Sequence, residues 1–157
     1  MSYEIRSILY ASDLTPRSPA VFHHAVGLAM KFNAKLHAIT VTLPSTSLPY
    51  DDFLTPEKLD EIKLAGHKKA EALLRHRIDV FAEANPDLDV KGVLASVRAL
   101  EGDASRRILD VSKHVLADMI VIGSRGHSTI GELLLGSVAH KVTMKADVPV
   151  VLVPIDR

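Results

Sequence analysis

The stretch "DMIVIGSRGHSTIGELLLGSVAHKV", residues 118 to 142, decides how the chain is read. It opens with Met119–Ile122, four apolar residues in a row with a β-branched bias. Such a run suits a strand buried on both faces. A glycine-rich segment follows, with Gly123, Gly126, Gly131 and Gly136. From about Ser137 to Lys145 the pattern turns helical. A strand, a glycine loop and a helix in that order are half of a β-α-β unit.

Working outward, the same alternation repeats. "IRSILYA" (5 to 11) reads as a first strand and "SDLTPRS" (12 to 18) as loop. Val21, Ala25, Leu28 and Phe32 recur at helical spacing, with Pro19 suited to a first turn and Asn33 to a helix stop. A second strand is expected over 34–43. An exposed Pro-, Ser-, Thr- and Asp-rich connection is expected over 44–56. Leu59, Ile62, Gly66, Leu73, Arg77 and Phe81 mark a helical stripe running to about Ala84. "NPDLD" (85 to 89) is a turn and "VKGVLASV" (90 to 97) a third strand. Asp103 is an N-cap candidate for a helix reaching 117, with its apolar face on Ile108, Val111, Ser112 and Val115. The fourth strand is 118–123, and "VPVVLVP" (148 to 154) is the fifth. Its flanking prolines suit a sheet edge. The expectation is an α/β fold with one open, parallel, five-stranded sheet and helices on both faces, forming a single domain over 1–157.

Composition excludes several classes. The 157 residues carry 19 basic and 19 acidic side chains, so no basic field invites nucleic acid or anionic lipid. There is no cysteine, which removes disulfides, thiolate zinc sites and cysteine nucleophiles. The eight histidines show no metal-site spacing. No apolar run approaches the roughly 20 residues that cross a bilayer. The start, "MSYEIRSILYASD", has no signal-peptide pattern. The expectation is a cytoplasmic protein that engages neither membrane nor nucleic acid.

In an open parallel sheet, ligands bind beyond the carboxyl ends of the strands. Gly123 stands at such an end, where glycine permits torsions other residues avoid. Gly126 removes a side chain that would block a ligand, and the backbone of Gly123–Gly126 offers N–H groups to an anion. Gly136 and Ser137 open the next helix, whose N-terminus attracts phosphate; glycine allows close approach and the hydroxyl can donate. Arg125 and His127 lie within this loop, where either could meet a phosphate or face solvent. No G-K-[ST] closes the loop, so it is not a Walker A motif.

The pattern G-x2-G-x9-G-[ST], met by Gly123, Gly126, Gly136 and Ser137, resembles the ATP-binding branch of the universal stress protein (UspA-like) family. "ILYASD", "EGDASRRILD", "ADMIVIGSRG" and "VPVVLVP" agree with it along nearly the whole chain. The resemblance implies a Rossmann-like or flavodoxin-like strand order, 3-2-1-4-5. It also implies an adenine-nucleotide (ATP or AMP) binding protein of the stress response. Base and sugar would lie near Ala11, Asp13 and Val41. Phosphates would lie over Gly126, Gly136 and Ser137, with or without Mg²⁺, and Gly123, Arg125 and Val138 complete the nucleotide-binding set. The family often places Gly-Ser after the aspartate, whereas Leu14-Thr15 stand here. It further implies a homodimer through the last strand, 148–154, and an unidentified protein partner. Phosphoryl transfer needs a lysine, metal ligands and a positioned water, and the loop holds no lysine. Binding with at most slow hydrolysis is therefore the expectation. The alternatives are a dimeric interaction protein of the same fold without nucleotide, or a slow ATPase.

Overall fold

The first strand, β1 (Ser7–Ser12), is the axis of the molecule. Ile8 and Tyr10 face one side and Leu9 and Ala11 the other, and all but Ala11 are fully buried. The computed structural model describes residues 2–42, 55–124 and 135–155. After β1 come α1 (Ser18–Phe32), β2 (Lys35–Thr42), α2 (Pro56–Ala84) and the single turn α3 (Val90–Val93). Then follow β3 (Leu94–Glu101), α4 (Ala104–His114), β4 (Met119–Gly123), α5 (Ser137–Lys145) and β5 (Val150–Val153). The strands form one parallel sheet in the order β3-β2-β1-β4-β5, as the resemblance implies.

Both faces are covered. On one, Val21, Phe22 and Ala25 of α1 and Leu74, Ile78 and Phe81 of α2 pack on Ile8, Tyr10, Leu36 and Val121. Phe22 links the layers: its ring lies 5.1 Å from Tyr10 and 5.0 Å from Phe81, edge-on to the latter. On the other face, Ile108 and Val111 of α4 and Ala139 and Val142 of α5 cover Leu9, Ile39 and Ile120. Asp118 fastens the start of β4, its carboxylate accepting the backbone N–H groups of Arg6 and Ser7.

The helix boundaries follow from local chemistry. Asn33 ends α1 in the left-handed conformation (φ 54°), its N–H bonding to Ala29 and Met30 carbonyls. Thr55 caps α2 through Lys58 N–H, with Pro56 next in the chain. Asp103 caps α4: its carboxylate accepts Arg106 N–H at 3.0 Å and the Ser105 hydroxyl at 2.7 Å. These bonds hold its carboxyl below the usual range.

Three expectations need correction. The third strand does not begin at Val90; residues 90–93 form α3, and β3 runs from 94 to 101. Asp89 is the cause, because its carboxylate accepts Gly92 N–H and closes a helical turn. In α2 the core face is Ala70, Leu74, Ile78 and Phe81, while Ile62 and Leu73 are exposed. Of the expected stripe Phe81 is buried, Leu59 and Arg77 are half-buried, and Ile62, Gly66 and Leu73 are exposed. In α1 the buried set runs Val21, Phe22, Ala25, Val26, Ala29, and Phe32 is exposed.

Candidate functional site

The sheet order reverses direction at β1, which pairs with β2 on one side and β4 on the other. At this switch point, beyond the carboxyl ends of the strands, lies a cleft of about 690 Å³. That volume is ordinary for a small-molecule site. Its walls are mostly apolar: Ala11, Leu14, Val41, Ile108, Ile122, Val138 and Ile155 contribute. Polar groups converge from Ser12, Asp13, Thr40, Thr42 and Ser137.

The chain from Ser12 to Thr15 is shaped by its own side chains. Ser12 Oγ accepts Leu14 N–H at 3.1 Å. Asp13 Oδ1 accepts both the backbone N–H and the hydroxyl of Thr15, at 2.9 and 2.8 Å. Together they hold Leu14 in the left-handed region at φ 59°. A non-glycine residue there costs roughly 1 kcal/mol or more. Packing of the Leu14 side chain on the core offsets the strain.

The same cleft is lined by the start of α5. Gly136 is its N-cap, at φ −59° and ψ 152°. Its N–H donates to Ser124 O at 2.8 Å, which sets the end of β4 beside the start of the helix. Among the described residues, the N–H groups of the helix start without a partner therefore begin at Ser137. No side chain caps α5 among the described residues. An uncapped helix N-terminus facing a cleft is suited to an anion.

Seven of the nine expected site residues line this one cleft: Ala11, Asp13, Val41, Gly123, Gly136, Ser137 and Val138. Arg125 and Gly126 lie outside the described residues, as do His127 and most of the 44–56 connection. Gly123 corrects the reason given for it. Its φ is not in the left-handed region; among the described glycines only Gly102 is, at 134°. A Cβ on Gly123 would instead press on Ile155 Cδ1, with Ile155 Cγ1 at 2.9 Å and Val21 Cγ2 at 3.3 Å. Glycine stands there because the first and last parts of the chain converge on it.

Sequence reasoning missed Ser12, Thr40, Thr42 and Tyr10. Ser12 and Thr15 carry a signal, since hydroxyls beside an aspartate favour local turns. Tyr10 carries none. It is buried at the cleft floor, its hydroxyl donating to Ser18 O at 3.3 Å, and burial pushes its pKa up to about 12.

The model of the universal stress protein family matches residues 4–154. Universal stress protein YxiE of Bacillus subtilis (strain 168) is 31% identical over 150 residues, spanning 93% of this chain and 97% of that protein. The solved structure of UspA from Lactobacillus plantarum is similar at a TM-score of 0.76 and 25% identity, covering 97% of this chain and 99% of that one. A universal stress protein solved in complex with cAMP shares the fold at a TM-score of 0.66 and 23% identity, over 97% of this chain and 98% of that one.

Proposed function

The chain belongs to the universal stress protein family, and we propose that within it this protein is an adenine-nucleotide-binding regulator of the stress response. One observation carries the reading. A single, mostly apolar cleft is lined both by a carboxylate, Asp13, and by the start of α5, which no side chain caps among the described residues. A carboxylate repels phosphate but accepts hydroxyls of a ribose. A helix start favours the phosphate and not the base. The two features suit the sugar and the phosphates of a nucleotide, and the apolar walls suit its base.

In this reading Asp13, with Ala11 and Val41, receives the sugar and base. Ser137 and Val138 hold the phosphates through their N–H groups and the Ser137 hydroxyl. Gly136 keeps the approach open, and Arg125 and Gly126 complete the phosphate side. The cAMP complex of a fold relative supports the choice of an adenine nucleotide. ATP or AMP is the ligand, with or without Mg²⁺.

Binding rather than efficient turnover is the better account. Among the described residues Asp13 is the only carboxylate on the cleft, one of its oxygens is already engaged by Thr15, and no lysine lines it. At most slow hydrolysis follows. The protein would act in the cytoplasm as a homodimer. β5, at the sheet edge, would pair with its twin, covering an apolar edge that otherwise invites aggregation.

Gly136→Val tests the phosphate end. The backbone torsions of Gly136 are open to any residue, so the fold should survive while calorimetric titration with ATP shows no binding. Binding as tight as the parent's would overturn the assignment.

A further inference from the structure

Arg77 is a cation on the core face of α2, at helical spacing from buried Leu74, Ile78 and Phe81. Its side chain is half-buried and reaches across the helix layer. Nη1 donates to the Thr15 carbonyl at 2.7 Å and lies 3.5 Å from Ser18 Oγ. The same carbonyl accepts Ser18 N–H at 3.1 Å. Thr15 in turn gives both its N–H and its hydroxyl to Asp13 Oδ1. A continuous chain of bonds thus runs from α2, through Thr15, to the carboxylate on the cleft.

The chain matters because of Leu14. A left-handed leucine persists only where its surroundings over-determine it, and Leu14 separates Asp13 from Thr15. The bonds from Thr15 to the Asp13 carboxylate and from Arg77 to the Thr15 carbonyl are all charge-assisted, about twice as strong as neutral ones, and the guanidinium contact is the one that comes from a distant element.

We propose that Arg77 is a positioning residue for the nucleotide site: it clamps Thr15, fixes Asp13 at the cleft, and links α2 to ligand occupancy. The proposal rests on the nucleotide reading above. By linkage, whatever Arg77 contributes to binding, bound nucleotide returns to the anchoring of α2. Occupancy of the cleft is then felt on a 29-residue helix whose outer side, including Leu73 and Val80, faces solvent.

The test combines Arg77→Met, Arg77→Lys, Asp13→Asn and the double variant Asp13→Asn/Arg77→Met. Calorimetric titration with ATP is paired with amide hydrogen exchange of the ligand-free proteins. Arg77→Met should weaken ATP about tenfold. In the Asp13→Asn background its effect should shrink to less than about threefold, because both act through one carboxylate. Arg77→Lys, which can still donate to the carbonyl, should recover part of the loss. Thr15 and Ser18 amides should exchange faster in Arg77→Met while core amides such as Val26 do not. Parental ATP affinity with unchanged Thr15 and Ser18 exchange would overturn the proposal. So would equal losses in both backgrounds, the mark of a purely structural role. If the parent itself binds no ATP, the nucleotide reading falls, and exchange at Thr15 and Ser18 still decides the clamp. If Arg77→Met does not fold, Arg77→Lys is judged by the same readouts.

Discussion

Gly123→Ala should destabilise the protein with no ligand present. The added methyl would lie 2.9 Å from Ile155 Cγ1 and 3.3 Å from Val21 Cγ2, and closer still to Ile155 Cδ1. Carbon atoms in contact prefer about 3.5–4.0 Å. Ile155 and Val21 are both buried and both β-branched, so neither turns aside freely. Overpacking of this kind costs about 1–3 kcal/mol. Taking about 2 kcal/mol, a chain of this length should melt roughly 4–8 °C lower. Ile155→Val removes the nearest methyl at a cost of about 1 kcal/mol alone. Combined with Gly123→Ala it should recover part of the loss, a coupling of about 1 kcal/mol. Thermal and urea unfolding of the four ligand-free proteins measure the cycle. A Gly123→Ala protein as stable as the parent, or strictly additive costs, would refute the crowding at the end of β4.

Three further outcomes follow from the same coordinates. Leu116 is 78% exposed and left-handed (φ 52°) just past α4, so Leu116→Gly should relieve strain without losing burial and stabilise by about 0.5–1 kcal/mol in urea melts. Tyr10 ionises near 10 in the unfolded chain and at about 12 in the fold. Its contribution to stability is therefore complete below pH 10 and drains as pH rises towards 12, a loss of about 3 kcal/mol that Tyr10→Phe should flatten in alkaline melts. Asp103→Ala should cost about 1 kcal/mol at neutral pH by uncapping α4. Because the fold lowers the Asp103 pKa, the difference from the parent should shrink as acid protonates that carboxylate.

What was legible in the sequence divides along physical lines. β1 and β4 are apolar on both faces, and only a doubly covered parallel sheet has places for Leu9 and Tyr10 together. Caps were legible too, because Asp103 and Asn33 act within a few residues of themselves. The start of β3 was not: Val90 and Val93 have strand propensity, and a single Asp89 carboxylate turns them into α3. The face of α2 was ambiguous because Ile62, Leu73 and Val80 make a second apolar line that stays exposed. At the site, Gly136 and Ser137 could be picked out because they open a helix, while Asp13 could be picked out through the family resemblance. The role of Gly123 could not, since its reason is Ile155, a residue from after the last strand. Arg77 depends on a contact with Thr15 across 62 positions of sequence, which no local pattern encodes.

The central claim is that one cleft holds a nucleotide between Asp13 and the start of α5. Calorimetric titration of the purified protein with ATP, with and without Mg²⁺ and after removal of co-purified nucleotide, tests it most directly. Micromolar binding near one nucleotide per chain, about −8 kcal/mol, is the result the account predicts. No heat of binding from a folded protein proven free of nucleotide would contradict it.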